Sequence, residues 1–238
     1  MRDKSYQKVG LLGLVLTLIA TVIIVVSPPP SQQPGAHSSQ IVTFEFVDTP
    51  EELRLFHSQL CESEEVSCAT RKQQIDLVNY IDFGMMIVYG LFLFFFTKRL
   101  SEQTADPLLA NAKFLAPLVV IFDALENVQM LLMNKASFDG AEHIFLCLSL
   151  FTRLKWGLLA ALIALIGYGM RHLPRARWLG YVLILPAIIG LYALITESYL
   201  AIEIWTVLIF LSMLLLVIFC FIYKSGKLLL PESNMRQD

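Results

Sequence analysis

Charge is scarce in this chain, and it is absent for long stretches at a time. Asp, Glu, Lys and Arg make up only 16% of the 238 residues, while 56% are hydrophobic. An ordinary soluble domain carries about a quarter charged residues. The net charge is −2, so neither a nucleic-acid footprint nor a broad basic membrane-binding face is expected. Histidine is nearly missing. His37, His57 and His143 lie outside the apolar runs or at their edge, and His172 follows one. A buried zinc site would lack its usual ligands, and no metal or cofactor is expected. There is no Gly-x-Ser-x-Gly, no phosphate-cradling glycine loop and no Cys-x-x-Cys-His, which removes several enzyme classes. Ser149 and Thr152 have no histidine base beside them, so their hydroxyls are expected to bond back to their own helix. Met85, Met86, Met130, Met133, Cys147 and Cys220 read as packing residues. No half of the chain repeats the other, which argues against an inverted-repeat transporter.

What is present is a series of apolar runs. Six are long enough to span a bilayer, which takes about 20 residues: roughly 9–27, 75–97, 114–134, 144–170, 178–196 and 204–223. The expected fold is an all-α membrane protein, a six-transmembrane-helix bundle with a small extracytoplasmic α/β cap between helices 1 and 2. Its parts are an anchor over 1–27, a linker and cap over 28–74, a five-helix bundle over 75–223 and a tail over 224–238. Pro186 with Gly190 predicts a kink in the fifth span.

Lys and Arg set the orientation. Arg2, Lys4 and Lys8 precede the first span. Lys98, Arg99 and Lys113 follow the second, Arg171, Arg175 and Arg177 follow the fourth, and Lys224, Lys227 and Arg236 follow the sixth. The other side has only Arg54, Arg71, Lys72 and Lys135. Twelve bases against four, alternating consistently, place both termini in the cytoplasm. A cleaved signal peptide shares a basic start and an apolar run. This run is long for one, however, and Ser27-Pro28-Pro29-Pro30 offers no small-x-small cleavage site, so an uncleaved anchor is expected.

Pro28 to Ser39 reads as an extended proline- and serine-rich spacer. Val42, Phe44 and Phe46 then alternate with Thr43 and Glu45, the period of a short half-buried strand. Thr49, Pro50 and Glu52 form the start signal of a helix that would bury Leu53, Phe56 and Leu60. Cys61 and Cys68 bracket an acidic turn, and in an oxidising compartment they would pair; two free thiols are the alternative. With seven acids against three bases over 28–74, the cap is an acidic surface.

Five charged groups fall well inside the apolar runs, away from their ends: Asp82, Asp123, Glu126, Arg153 and Lys155. Each costs a few kcal/mol in hydrocarbon, about 2.5–3.5 on insertion scales, unless it is satisfied internally. Asp123, Glu126 and Asn127 share one helical face, as do Asn79 and Asp82. Arg153 and Lys155, flanked by Thr152 and Trp156, are two positions apart. They therefore diverge by about 200°, so only one can meet the acids, and the other must find a second partner or snorkel. Counted from the cytoplasmic ends, Asp123 lies about 12–14 Å deep, Glu126 about 17 Å, Lys155 about 20 Å, and Asp82 and Arg153 about 22 Å. These heights predict Lys155 with Glu126 or Asp123, and Arg153 with Asp82. Three acids against two bases leave one carboxylate over.

The order of these features resembles an uncharacterised family of small multi-pass bacterial membrane proteins. The matching pieces are Phe44-Glu45-Phe46 with Thr49-Pro50-Glu51, Ile81-Asp82-Phe83 with Tyr89, Asp123-Ala124-Leu125-Glu126-Asn127, and Leu154-Lys155-Trp156. They span roughly 41–170 and leave the last two spans unmatched. Phe46 stands where a small residue or leucine is expected. The resemblance implies a bacterial cytoplasmic membrane and carries no activity.

Two functional readings follow, with membrane lipids as partners and no nucleic acid. In the first, a binding or transport protein takes a small solute, ion or lipid. Asp123 and Glu126 are then acidic ligands or proton carriers, Lys155 their counter-charge, and Asp82 with Arg153 the outer gate. In the second, an accessory subunit docks other membrane proteins through its cap, and the charges only hold helices together. A lipid-modifying enzyme using paired carboxylates lacks a recognisable nucleophile or metal set and ranks last.

Overall fold

A computed structural model describes residues 4–29, 39–61, 66–135, 142–196 and 198–223. The spacer over 30–38, the acidic turn over 62–65 and the tail over 224–238 lie outside the described residues. Every regular element among the described residues is helical: α1 (Lys4–Val26), α2 (Gln40–Glu45), α3 (Pro50–Leu60), α4 (Cys68–Thr104), α5 (Pro107–Ala112), α6 (Leu115–Lys135), α7 (Glu142–Met170), α8 (Arg177–Thr196) and α9 (Tyr199–Ile222). Six stretches are long and apolar enough to cross a membrane: α1, α4, α5 with α6, α7, α8 and α9. The chain is a multi-pass membrane protein.

The spans pack in chain order. α4 lies against α6, α6 against α7, α7 against α8 and α8 against α9, while α1 packs on both α4 and α9 and closes the ring. Short connections force this arrangement, because antiparallel neighbours are what a brief loop can join. The α4–α5 connection is an example. Ala105 turns the chain with φ 52°, Asp106 accepts the Leu108 amide at 2.8 Å, and Pro107 opens the next helix. At the end of the ring away from α2 and α3, aromatic rings bind the first, second and last spans. Tyr6 meets Phe96 and Phe219 edge-on at 5.6 and 5.4 Å, and Gln103 bridges the hydroxyls of Tyr6 and Tyr223. Pro186 sits inside α8, which runs on past it to Thr196. Gly190 on that helix is needed for contact: a Cβ there would fall 2.3 Å from the Trp205 ring of α9.

α4 differs from its expected length. It has 37 residues, about 55 Å at 1.5 Å per residue, against a hydrocarbon thickness of about 30 Å. It begins at Cys68 and therefore crosses the expected boundary at 74. Its first turns are polar and form one wall of the cap.

The cap contains no strand among the described residues, so the α/β expectation is corrected to an all-helical one. The alternation over 42–46 misled because five residues cannot separate a period of 2 from one of 3.6. In a strand, Phe44 and Glu45 would point to opposite sides. In α2, capped by the Ser39 hydroxyl on the Val42 amide at 3.3 Å, they diverge by about 100°, and both are buried. Phe44 stacks on Phe56 at 4.7 Å. α3 begins as expected, with Thr49 accepting the Glu52 amide at 3.2 Å. The Glu52 carboxylate accepts the Asp48 amide at 2.8 Å, one residue earlier than in a standard capping box. Leu53, Phe56 and Leu60 are buried as expected, in a second core shared with Ile75, Met130, Met133, Phe145 and Leu148. The cap thus rests on the near ends of α4, α6 and α7. Arg71 of α4 donates to the Leu60 carbonyl at 3.3 Å, holding the end of α3, and Asn134 of α6 donates to Asp76 at 2.8 Å.

Cys61 and Cys68 form a disulfide that joins the end of α3 to the start of α4. Closing so short a loop is worth about 2–3 kcal/mol by chain entropy. Replacing both cysteines with serine is predicted to lower cap stability by about that amount while the bundle stays folded. Hydrogen exchange should then show faster exchange in α3 than in α7.

His57 provides a second test. Burial, with Lys72 beside it, lowers its pKa from 6.5 to about 4. Below about 6.5 the unfolded chain binds a proton that the folded cap refuses. Cap stability is therefore full above that pH and falls as the pH drops toward about 4. His57→Gln should flatten this acid dependence, read from protease sensitivity of α3 against pH.

Candidate functional site

Lys155, one of the two bases on α7, points into the ring. Its ammonium pairs with Glu126, lies 3.1 Å from Glu45 Oε1 and 3.3 Å from Asp123 Oδ1. The side chains are nearly dry: Lys155 is 7% exposed and Glu126 is fully buried. Each carboxylate has a second donor. Tyr89 donates to Asp123 Oδ2 at 2.5 Å, and Trp156 Nε1 donates to Glu45 Oε2 at 3.0 Å. The Thr152 hydroxyl shares its proton between Glu126 Oε1 at 2.5 Å and the Glu45 carbonyl oxygen at 3.0 Å. The ammonium also lies 4.9 Å from the Trp156 ring centre, within cation–π range.

Helix geometry explains the assembly. Asp123, Glu126 and Asn127 occupy one face of α6 and are all buried. Thr152, Lys155 and Trp156, at spacings of three and four, occupy the facing stripe of α7. Asp82 and Tyr89 of α4, two turns apart, reach in from the other side. Asn127 Nδ2 donates to Asp82 Oδ2 at 2.7 Å, which ties α4 to α6.

Three expectations change. Arg153 does not meet Asp82. It pairs with Asp48 at 3.3 Å, and both side chains are more than 40% exposed. The divergence of about 200° between positions 153 and 155 leaves Arg153 on the rim when Lys155 turns inward. Asp82 takes Asn127 instead and has no basic partner among the described residues. The second change is an addition. Glu45, expected on a strand of the cap, is the third carboxylate on Lys155. Its signal was an isolated acid within the apolar stretch Ile41 to Val47. Tyr89 was legible as the residue two turns after Asp82. Thr152 donates to a neighbouring helix rather than to its own.

The cluster opens on a cavity of about 520 Å³, within the ordinary range for small-molecule sites. Glu45, Asp82, Asp123 and Lys155 form its polar end, and α1 and α9 supply mostly apolar walls. Comparison with protein-family models, curated proteins and solved structures finds no match. The fold and site therefore define a class only: a multi-pass membrane protein whose bundle encloses a charged network beside a cavity.

Removing the ammonium would strand three buried carboxylates. Lys155→Met is predicted to cost about 3–5 kcal/mol, seen as a large drop in thermal unfolding temperature in nanodiscs. Arg153→Gln, on the exposed rim, should cost less than about 1 kcal/mol.

Proposed function

We propose that this chain is a ligand-binding or transport protein of the bacterial cytoplasmic membrane. The basic flanks support cytoplasmic termini and an outward-facing cap, and the disulfide agrees with an oxidising exterior. The observation that carries the proposal is the cavity beside the network. Charges that served only to glue helices would be closed over by side chains. Here Asp82 lines open space, and among the described residues its hydrogen-bond partner is the Asn127 amide. Lys155 with its three carboxylates is the rigid floor, and Asp82 is the binding group. Asp82 therefore replaces Asp123 and Glu126 as the ligand-contacting acid, because every oxygen of those two already receives a donor or the ammonium.

A density map of the protein in native-lipid nanodiscs tests this. Ordered density against Asp82 is expected, and it should be lost in Asp82→Asn, which keeps the fold. A cavity that is empty or collapsed in both proteins, with a second protein bound at the cap, would instead establish the accessory-subunit reading.

A further inference from the structure

α1 and α9 meet closely over only part of their length. A Cβ on Gly10 would lie 2.9 Å from Cys220 and Phe221, and one on Gly13 would lie 2.3 Å from Val217. This antiparallel register, continued toward the cap, would set Ala20 against Phe210 and Ile24 against Thr206. All four of those residues line the cavity instead. Ile24 is 69% and Phe210 46% exposed, so these residues also face the surroundings of the bundle. The seam is shut at the end with the glycines and parted at the cap end.

The cavity is polarised. Leu16, Ala20, Ile23, Ile209 and Met213 offer hydrocarbon on the side of the parted seam, and the carboxylates stand on the opposite wall. Three carboxylates share the Lys155 ammonium, and the fourth, Asp82, accepts from the Asn127 amide instead. Both oxygens of Glu45, Asp123 and Glu126 are engaged, whereas among the described residues Asp82 accepts a hydrogen bond at Oδ2 only. Among the described residues no three His, Cys, Asp or Glu side chains converge as a metal site would require. Tyr89 and Trp156 line the same end and supply aromatic faces of the kind that bind ammonium groups.

From this we infer that the ligand is a single-chain amphiphile with a protonated amine at its polar end. It enters from the bilayer between α1 and α9, lays its chain along them and sets its ammonium on Asp82. The inference rests on the binding reading above and adds the ligand's chemistry and its route.

The test uses the full chain in nanodiscs and a dodecylamine carrying a photoreactive diazirine in its chain. Labelling should map to α1 and α9 and be competed by dodecylamine. Dodecan-1-ol and ethylamine should compete at least tenfold less well, the first lacking the charge and the second the chain. Asp82→Asn should weaken competition by dodecylamine at least tenfold without moving the unfolding temperature. Ala20→Phe, which fills the parted seam, should abolish labelling. Equal competition by dodecan-1-ol with no effect of Asp82→Asn would overturn the amine assignment. Equal competition by ethylamine would overturn the amphiphile and leave a soluble cation in the same site. Ligand density at Asp82 in native lipid without any competable labelling would sink this inference and leave the binding reading standing. Absence of both would remove the two together.

Discussion

The ammonium of Lys155 organises this molecule. It gathers two carboxylates from α6 and one from α2, and the helix that bears it also packs on α8. A lone charge in so dry a place would be untenable, so each member of the network is held in position by the others. The cap is included in that constraint. Glu45 lies at the end of a six-residue helix, far too short to be stable alone in water. α2 is ordered because Glu45 is anchored to Lys155 and Trp156 on one side and Phe44 is stacked on Phe56 on the other.

That arrangement divides the bundle into two halves. α4, α6 and α7 are tied together by charge and hydrogen bonds at the cap end, through Asn127 with Asp82 and Tyr89 with Asp123. α1 and α9 carry no part of the network. They are fastened to each other at the opposite end by close glycine contacts and by the rings around Tyr6 and Phe219, while near the cap α9 meets α8 and Trp156 through Trp205. The cavity is what lies between a wall held by polar bonds and a wall held by van der Waals contact at its far end. Its two chemistries, charged on one side and hydrocarbon on the other, follow from that division.

Much of the fold was legible beforehand. The six apolar runs, the start of α3 and its buried face all follow from local pattern: length of apolar run, capping residues, and side chains three or four apart. The misreadings share one cause. Val42, Phe44 and Phe46 alternate as a strand would, and Arg153 stands at the right height for Asp82, yet in each case a distant partner decided the outcome. Glu45 is buried because Lys155 waits for it. Arg153 stays on the rim because its neighbour two positions on has turned inward.

The sequence by itself determined that this chain has six stretches long and apolar enough to cross a membrane and that a handful of charges within them must be satisfied. Both conclusions rest on transfer free energies that depend on composition and spacing alone. Only the tertiary structure decided which charges meet. It drew Glu45 in, sent Arg153 out and left Asp82 facing open space, because the direction of a side chain depends on how its helix is rotated against its neighbours. That rotation is set by the packing of the whole ring, and no local pattern records it.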